Sequence, residues 1–149
     1  MRTKSIVFLM FCLLAIVVVP LQKAEAKNNK DTVVLGIERI DDYDKIFAGK
    51  KVGLITNQTG VDHNLKSSVD LLRTKVQLQA VFVPEHGLFG AAKAGDDIKN
   101  DKYEGIEVRS LYGDTKRPSK AMLADIDVLA FDIQDVGARH YTYVSTMAY

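Results

Sequence analysis

Val52-Gly53-Leu54-Ile55-Thr56, followed at once by Asn57-Gln58-Thr59-Gly60, is a five-residue run apolar on both faces that breaks on polar turn residues. A strand of that kind is covered on both sides, as in a parallel sheet. The same punctuation returns twice. Residues 78–83 form an apolar run that stops at Pro84 and leads into Glu85-His86-Gly87-Leu88-Phe89-Gly90. Val128-Leu129-Ala130-Phe131-Asp132-Ile133 leads into Gln134-Asp135-Val136-Gly137-Ala138-Arg139. Between the first two runs, Asp62 can cap a helix whose Leu65, Val69 and Leu72 recur at i, i+4 and i+7. Residues 106–111 read as a half-exposed strand with Ile106, Val108 and Ser110 on one face. Pro118 suits the first turn of a short helix carrying Met122 and Leu123, and Tyr141-Thr142-Tyr143 opens a last helical segment. Short apolar strands alternating with helical spacing predict an α/β domain with a mostly parallel sheet flanked by helices.

The beginning of the chain reads differently. Arg2 and Lys4 precede an uninterrupted apolar stretch from Ile6 to Val19, Pro20 breaks it, and Ala24-Glu25-Ala26 supplies a small-x-small cleavage pattern. This predicts a secretory signal peptide over residues 1–26 and a mature chain from 27 to 149. The apolar run is shorter than the roughly 20 residues needed to span a bilayer, so no stable membrane insertion is expected after cleavage. Cys12, the only cysteine, lies inside that run behind Met10 and Phe11, without the small residues of a lipoprotein signal. The mature chain is then free of cysteine, which excludes a disulfide scaffold and thiolate metal sites and fits an exported protein of a bacterial envelope. With 20 basic and 19 acidic side chains in 149 residues and no basic block, nucleic acid is not an expected partner. The chain stops at Tyr149 without a glycine stop or a polar tail, which reads as an interrupted helix and a piece of a longer protein.

The three polar clusters each follow an apolar strand. In a parallel sheet they converge at the carboxyl edge, where open α/β sheets bind ligands. Glu85 is the first candidate for catalysis: a carboxylate just past a buried strand and near Phe89 is open to desolvation, which favours its protonated, proton-donating form. Asp132 and Asp135 are candidates for the second carboxylate of the acid/base pair that glycoside hydrolysis usually needs. Strands about 4.8 Å apart allow that spacing if the two strand ends are neighbours. Arg139 can clamp a substrate carboxylate or neutralise Asp132 or Asp135, and the salt bridge is the plainer reading. His86 can orient Glu85, contact substrate or serve as a local hydrogen-bonding residue. His63, His86 and His140 have no tight ligand spacing, so no metal is expected. Gly87, Gly90 and Gly95 match neither a dinucleotide fingerprint nor a phosphate loop, so no cofactor is expected.

The blocks 52–60, 84–87 and 131–139, with Tyr141-Thr142-Tyr143 behind them, resemble the exo-β-N-acetylmuramidase family of bacterial peptidoglycan recycling, from about Gly36 to Tyr149. The resemblance implies a Rossmann-like amino-terminal domain of a two-domain protein with its cleft between the domains. It implies release of terminal, non-reducing N-acetylmuramic acid from peptidoglycan-derived saccharides. Glu85 would be the catalytic acid, with Asp132 and Asp135 as further catalytic carboxylates and Asn57, His86, Arg139 and Tyr141 around the sugar. The lactyl carboxylate of that sugar gives a cation such as Arg139 a reason to be there. Its acetamido oxygen can replace an enzymatic nucleophile. The alternative is a non-catalytic secreted module of the envelope that binds glycans or a partner protein.

Overall fold

The computed structural model describes residues 33–149. The predicted signal peptide and the expected start of the mature chain lie outside the described residues. Five strands form one sheet: β1 (Lys51–Thr56), β2 (Gln77–Val83), β3 (Asp101–Tyr103), β4 (Ile106–Ser110) and β5 (Val128–Asp132). Their order is β3-β4-β2-β1-β5. β1 pairs in parallel with both β2 and β5, β2 pairs in parallel with β4, and only β3 runs antiparallel. The α/β class and the mostly parallel sheet are as the alternating pattern predicts. The antiparallel β3 was not foreseen; it is a three-residue strand joined to β4 through Glu104-Gly105, both at positive φ.

The core lies on both faces of β1 and β2. On one face Leu54, Val81, Val83 and Val108 pack with Val69 and Leu72 of α2 (Ser68–Leu72) and with Ile37 and Ile40. Ile37 and Ile40 come from a 3-10 segment (Gly36–Tyr43) that runs on into α1 (Asp44–Phe47). The Glu38 carboxylate pins this segment to the following loop by accepting from the backbone N–H of His63 and of Leu35. Those bonds, with the His63 ring, hold its carboxyl down to about 2. On the other face Ile55, Ala80, Phe82 and Leu111 meet Met122, Leu123, Ile126, Phe131 and Ile133. Gly53 allows that closeness, because a Cβ there would stand 2.9 Å from both Leu129 and Phe82 side-chain carbons.

Two predicted helices are corrected. Asp62 does not cap a helix; its Oδ1 accepts from the backbone N–H of Asn64 and Lys66, and a Val61–Ser67 bridge closes the loop. A short acidic side chain that bonds its own backbone competes with helix formation. Leu65 therefore sits at φ 63 and is 80% exposed, outside the apolar stripe. The helix starts later, with the Ser67 hydroxyl accepting from Val69 N–H at 3.1 Å. After Pro118 the chain makes turns rather than a helix: Leu123 N–H bonds Ser119 O, but Ile126 N–H turns to Leu123 O. The Met122 carbonyl that a helix would use is taken by the Arg109 guanidinium. Met122 and Leu123 still reach the core.

Past β1 the chain folds back on itself at Gly60. Its N–H bonds Asn57 O and its carbonyl accepts from Ser68 N–H at 2.8 Å. A Cβ at Gly60 would overlap the Thr56 hydroxyl and stand 2.6 Å from the Ser68 hydroxyl and 2.7 Å from the Asp132 carbonyl. Gly60→Ala is therefore expected to cost about 3 kcal/mol, as overpacking of a rigid site does. The urea midpoint of unfolding measures it.

Candidate functional site

Because β1 lies between β2 and β5, its loop stands between those that follow these two strands. Asn57 begins the β1 loop and is only 3% exposed. Its Oδ1 accepts from Thr59 N–H at 2.9 Å and Thr59 O–H at 2.7 Å, so the residue shapes its own turn. Its Nδ2 is buried with no partner among the described residues. Thr59 Oγ1 accepts from Gln134 N–H at 2.9 Å, tying the β1 loop to the β5 loop. On the other side Gly90 packs on the Gln58 amide, where a Cβ would lie 2.7 Å from Gln58 Cδ. The β2 loop is thereby held against the β1 loop.

The turn after β2 closes through Gly87 N–H to Pro84 O at 3.1 Å. Within it His86 adopts φ 72, a left-handed conformation that costs a residue with a Cβ about 1–2 kcal/mol. Its Nδ1 donates to Ala92 O at 2.9 Å, so a neutral ring presents Nε2 as an acceptor. Of its three expected roles, the local hydrogen bond is the one observed. Glu85 is half-buried in the same turn, and its Oε1 accepts from Gly95 N–H at 3.3 Å.

Two tyrosines complete the surroundings of Glu85. Tyr112 follows β4, the neighbour of β2, and the Glu85 carboxylate beside it, with burial second, pushes its phenol up. Tyr143 comes from α3 (Tyr143–Ala148), is 3% exposed, and is pushed up by burial first. The Asn57 and Gln58 amides stand close enough to pull it the other way, while Glu85 and Tyr141 add to the rise. Tyr141 is itself exposed, its ring 5.8 Å from that of Tyr143.

The other predicted residues are placed apart. β2 and β5 flank β1 rather than each other, so Glu85 and Asp132 belong to strand ends two spacings apart, about 9.6 Å of backbone. Asp132 shares its sheet face with Ala130, and the two line a recess of about 250 Å³ with Ile37, Ile40, Phe47 and Leu72. Its Oδ2 is buried without a partner among the described residues, and burial raises its carboxyl, partly offset by the Ser68 hydroxyl. Asp135 is half-buried and spends Oδ1 on Gly137 N–H at 2.7 Å, a turn role. Arg139 is exposed and forms no ion pair among the described residues. The expected salt bridge to Asp132 or Asp135 is thus absent: Asp135 serves its own loop, and Asp132 lines the recess. Among the described residues no group of three His, Cys, Asp or Glu side chains is arranged to hold a metal ion.

Tyr143, Tyr112 and Gln58 were not among the predicted site residues. Tyr143 was visible as part of the aromatic pair with Tyr141, and Gln58 as a member of the first polar cluster. Tyr112 carried no local signal, because its place beside Glu85 depends on the β2–β4 pairing.

A raised carboxyl in the folded state binds its proton more tightly than in the unfolded chain. Its contribution is complete below the unfolded value of 3.8 and is lost as pH rises through the folded value. Asp132→Asn is therefore expected to raise the melting temperature by a few degrees at pH 7, with the gain disappearing in acid below 3.8. Melting curves across pH measure it.

Comparison with known proteins gives a consistent answer. The family described as "Exo-beta-N-acetylmuramidase NamZ, N-terminal" matches residues 52–149. The chain is 50% identical over 133 residues to the peptidoglycan beta-N-acetylmuramidase NamZ of Bacillus subtilis (strain 168), covering 84% of this chain and 32% of that protein. The chain thus spans about a third of the length of this curated relative. Two crystal structures of DUF1343 family proteins from Bacteroides fragilis NCTC 9343 are also similar. One has 48% identity and a TM-score of 0.66 over 77% of this chain and 29% of its own. The other has 37% identity and a TM-score of 0.58 over 78% and 30%. A match over residues 52–149, resting on the sheet and on all three of its polar loops, makes this chain a member of the exo-β-N-acetylmuramidase NamZ family, in its amino-terminal part.

Proposed function

We propose that this chain is the amino-terminal part of a glycoside hydrolase that releases terminal, non-reducing, β-linked N-acetylmuramic acid from peptidoglycan fragments. The observation that carries the reading is the half-buried Glu85 carboxylate at the sheet's carboxyl edge, among Asn57, Tyr112 and Tyr143. Glu85 acts as the general acid on the glycosidic oxygen, a role for which positioning in hydrogen-bond reach matters most. Gly95 N–H and the Tyr112 phenol hold it in place. Arg139 and Tyr141, both exposed beside this edge, meet the sugar from outside, the guanidinium taking the lactyl carboxylate. The homologue's name supports the hydrolase class and the peptidoglycan substrate. The export pattern of residues 1–26 supports action outside the cytoplasm, in a bacterial envelope, with residues 27–149 as the mature segment.

The test is release of a chromophore from a β-linked N-acetylmuraminide, with the corresponding N-acetylglucosaminide as the control lacking the lactyl group. Glu85→Gln is expected to lower release at least about 100-fold while leaving the melting curve unchanged. Full activity in that variant would remove Glu85 from the mechanism, and binding without release would instead favour a glycan-binding module. Arg139→Ala is expected to raise KM about tenfold with little change in kcat, as loss of a surface-exposed substrate clamp does. An unchanged KM would place the lactyl group elsewhere.

A further inference from the structure

One side chain of the edge is incompletely used. Asn57 is nine-tenths buried and more, its Oδ1 is doubly engaged by Thr59, and its Nδ2 donates to nothing among the described residues. Buried amide donors are rarely left unmade, and where one is, a missing acceptor is the first explanation. Tyr143 stands beside that amide with an equally buried ring, its hydroxyl within reach of the Asn57 and Gln58 amides. Two uncharged donors from different elements therefore converge next to Glu85.

The chemistry of the acceptor follows from what surrounds them. Glu85 is close enough for its charge to be felt at Tyr143, whereas no Lys or Arg contributes there. An anionic acceptor would meet repulsion without a compensating cation, and a neutral carbonyl oxygen would not. On an N-acetylated sugar the neutral carbonyl sits on C2, next to the anomeric carbon and hence next to the acid that serves the glycosidic oxygen.

We propose that Asn57 Nδ2–H and Tyr143 O–H together hold the carbonyl oxygen of the sugar's 2-acetamido group. The inference rests on the muramidase reading above and deepens it: these two residues are what make the site select an N-acetylated sugar. The lactyl carboxylate is left to Arg139.

Calorimetric titration with N-acetylmuramic acid and with 3-O-lactylglucose, which carries a hydroxyl at C2, tests it. The protein is expected to prefer the acetamido sugar about tenfold, as one buried hydrogen bond left unmade would require. Asn57→Asp keeps the Oδ1 acceptor for Thr59 and removes the donor; Tyr143→Phe keeps the ring and removes the hydroxyl. Each is expected to bring the preference below about threefold while leaving the affinity for 3-O-lactylglucose unchanged, a pattern that general loosening of the fold does not produce. A preference retained in both variants would overturn the inference and leave the muramidase reading standing. Binding of neither sugar would overturn both.

Discussion

The Thr56 hydroxyl is fully buried at the end of β1, where it donates to the Asp132 carbonyl at 2.7 Å and meets the Ser68 hydroxyl at 3.1 Å. A buried hydroxyl must find such partners or lose the free energy of leaving water. Here they come from the end of β5 and the start of α2, so one side chain binds together three segments far apart in sequence. Gly60 is folded over this junction with no room for a side chain. The position of Asn57, one residue on, follows from it, and so does the bond by which Thr59 receives Gln134 N–H.

From that junction Asp132 and the other polar groups take different neighbours. Asp132 turns to the side covered by the 3-10 segment, among Ile37, Ile40 and Leu72. Asn57, Glu85, Tyr112 and Tyr143 gather around the loops that follow β1, β2 and β4. The strand order explains the second grouping, because β4 and β1 are the two neighbours of β2. Each brings its own loop to Glu85. Asp132, beyond β1, is the carboxylate of the junction rather than of this cluster.

Much of this could be read from residue order alone. Runs apolar on both faces located β1 and β2 and the edge strand β5, and the turn residues behind them located the edge where polar groups meet. Helical spacing was a poorer guide. Leu65 has the correct interval from Val69, but spacing does not register that Asp62 bonds the backbone of Asn64 and Lys66. The turns after Pro118 depend in the same way on a distant partner, the Arg109 side chain. Choosing between the possible roles of Arg139 and of the two aspartates needed the strand order, which local pattern does not contain. Tyr112 is the clearest case: nothing near it in sequence points to Glu85.

The two ladders of β1 differ in how much chain they enclose. Val52 pairs with Leu78 in β2, whereas the Thr56 to Asp132 bond spans 76 residues, about threefold farther. Closing the longer loop costs about 1 kcal/mol more in chain entropy. Long-range pairing of this kind is also slow to form. The longer loop therefore favours the pairing of β1, β2 and β4 ahead of β5. Without β5, Thr56 lacks the Asp132 carbonyl and Thr59 the Gln134 N–H, so the polar edge takes its final form only when the sheet is complete.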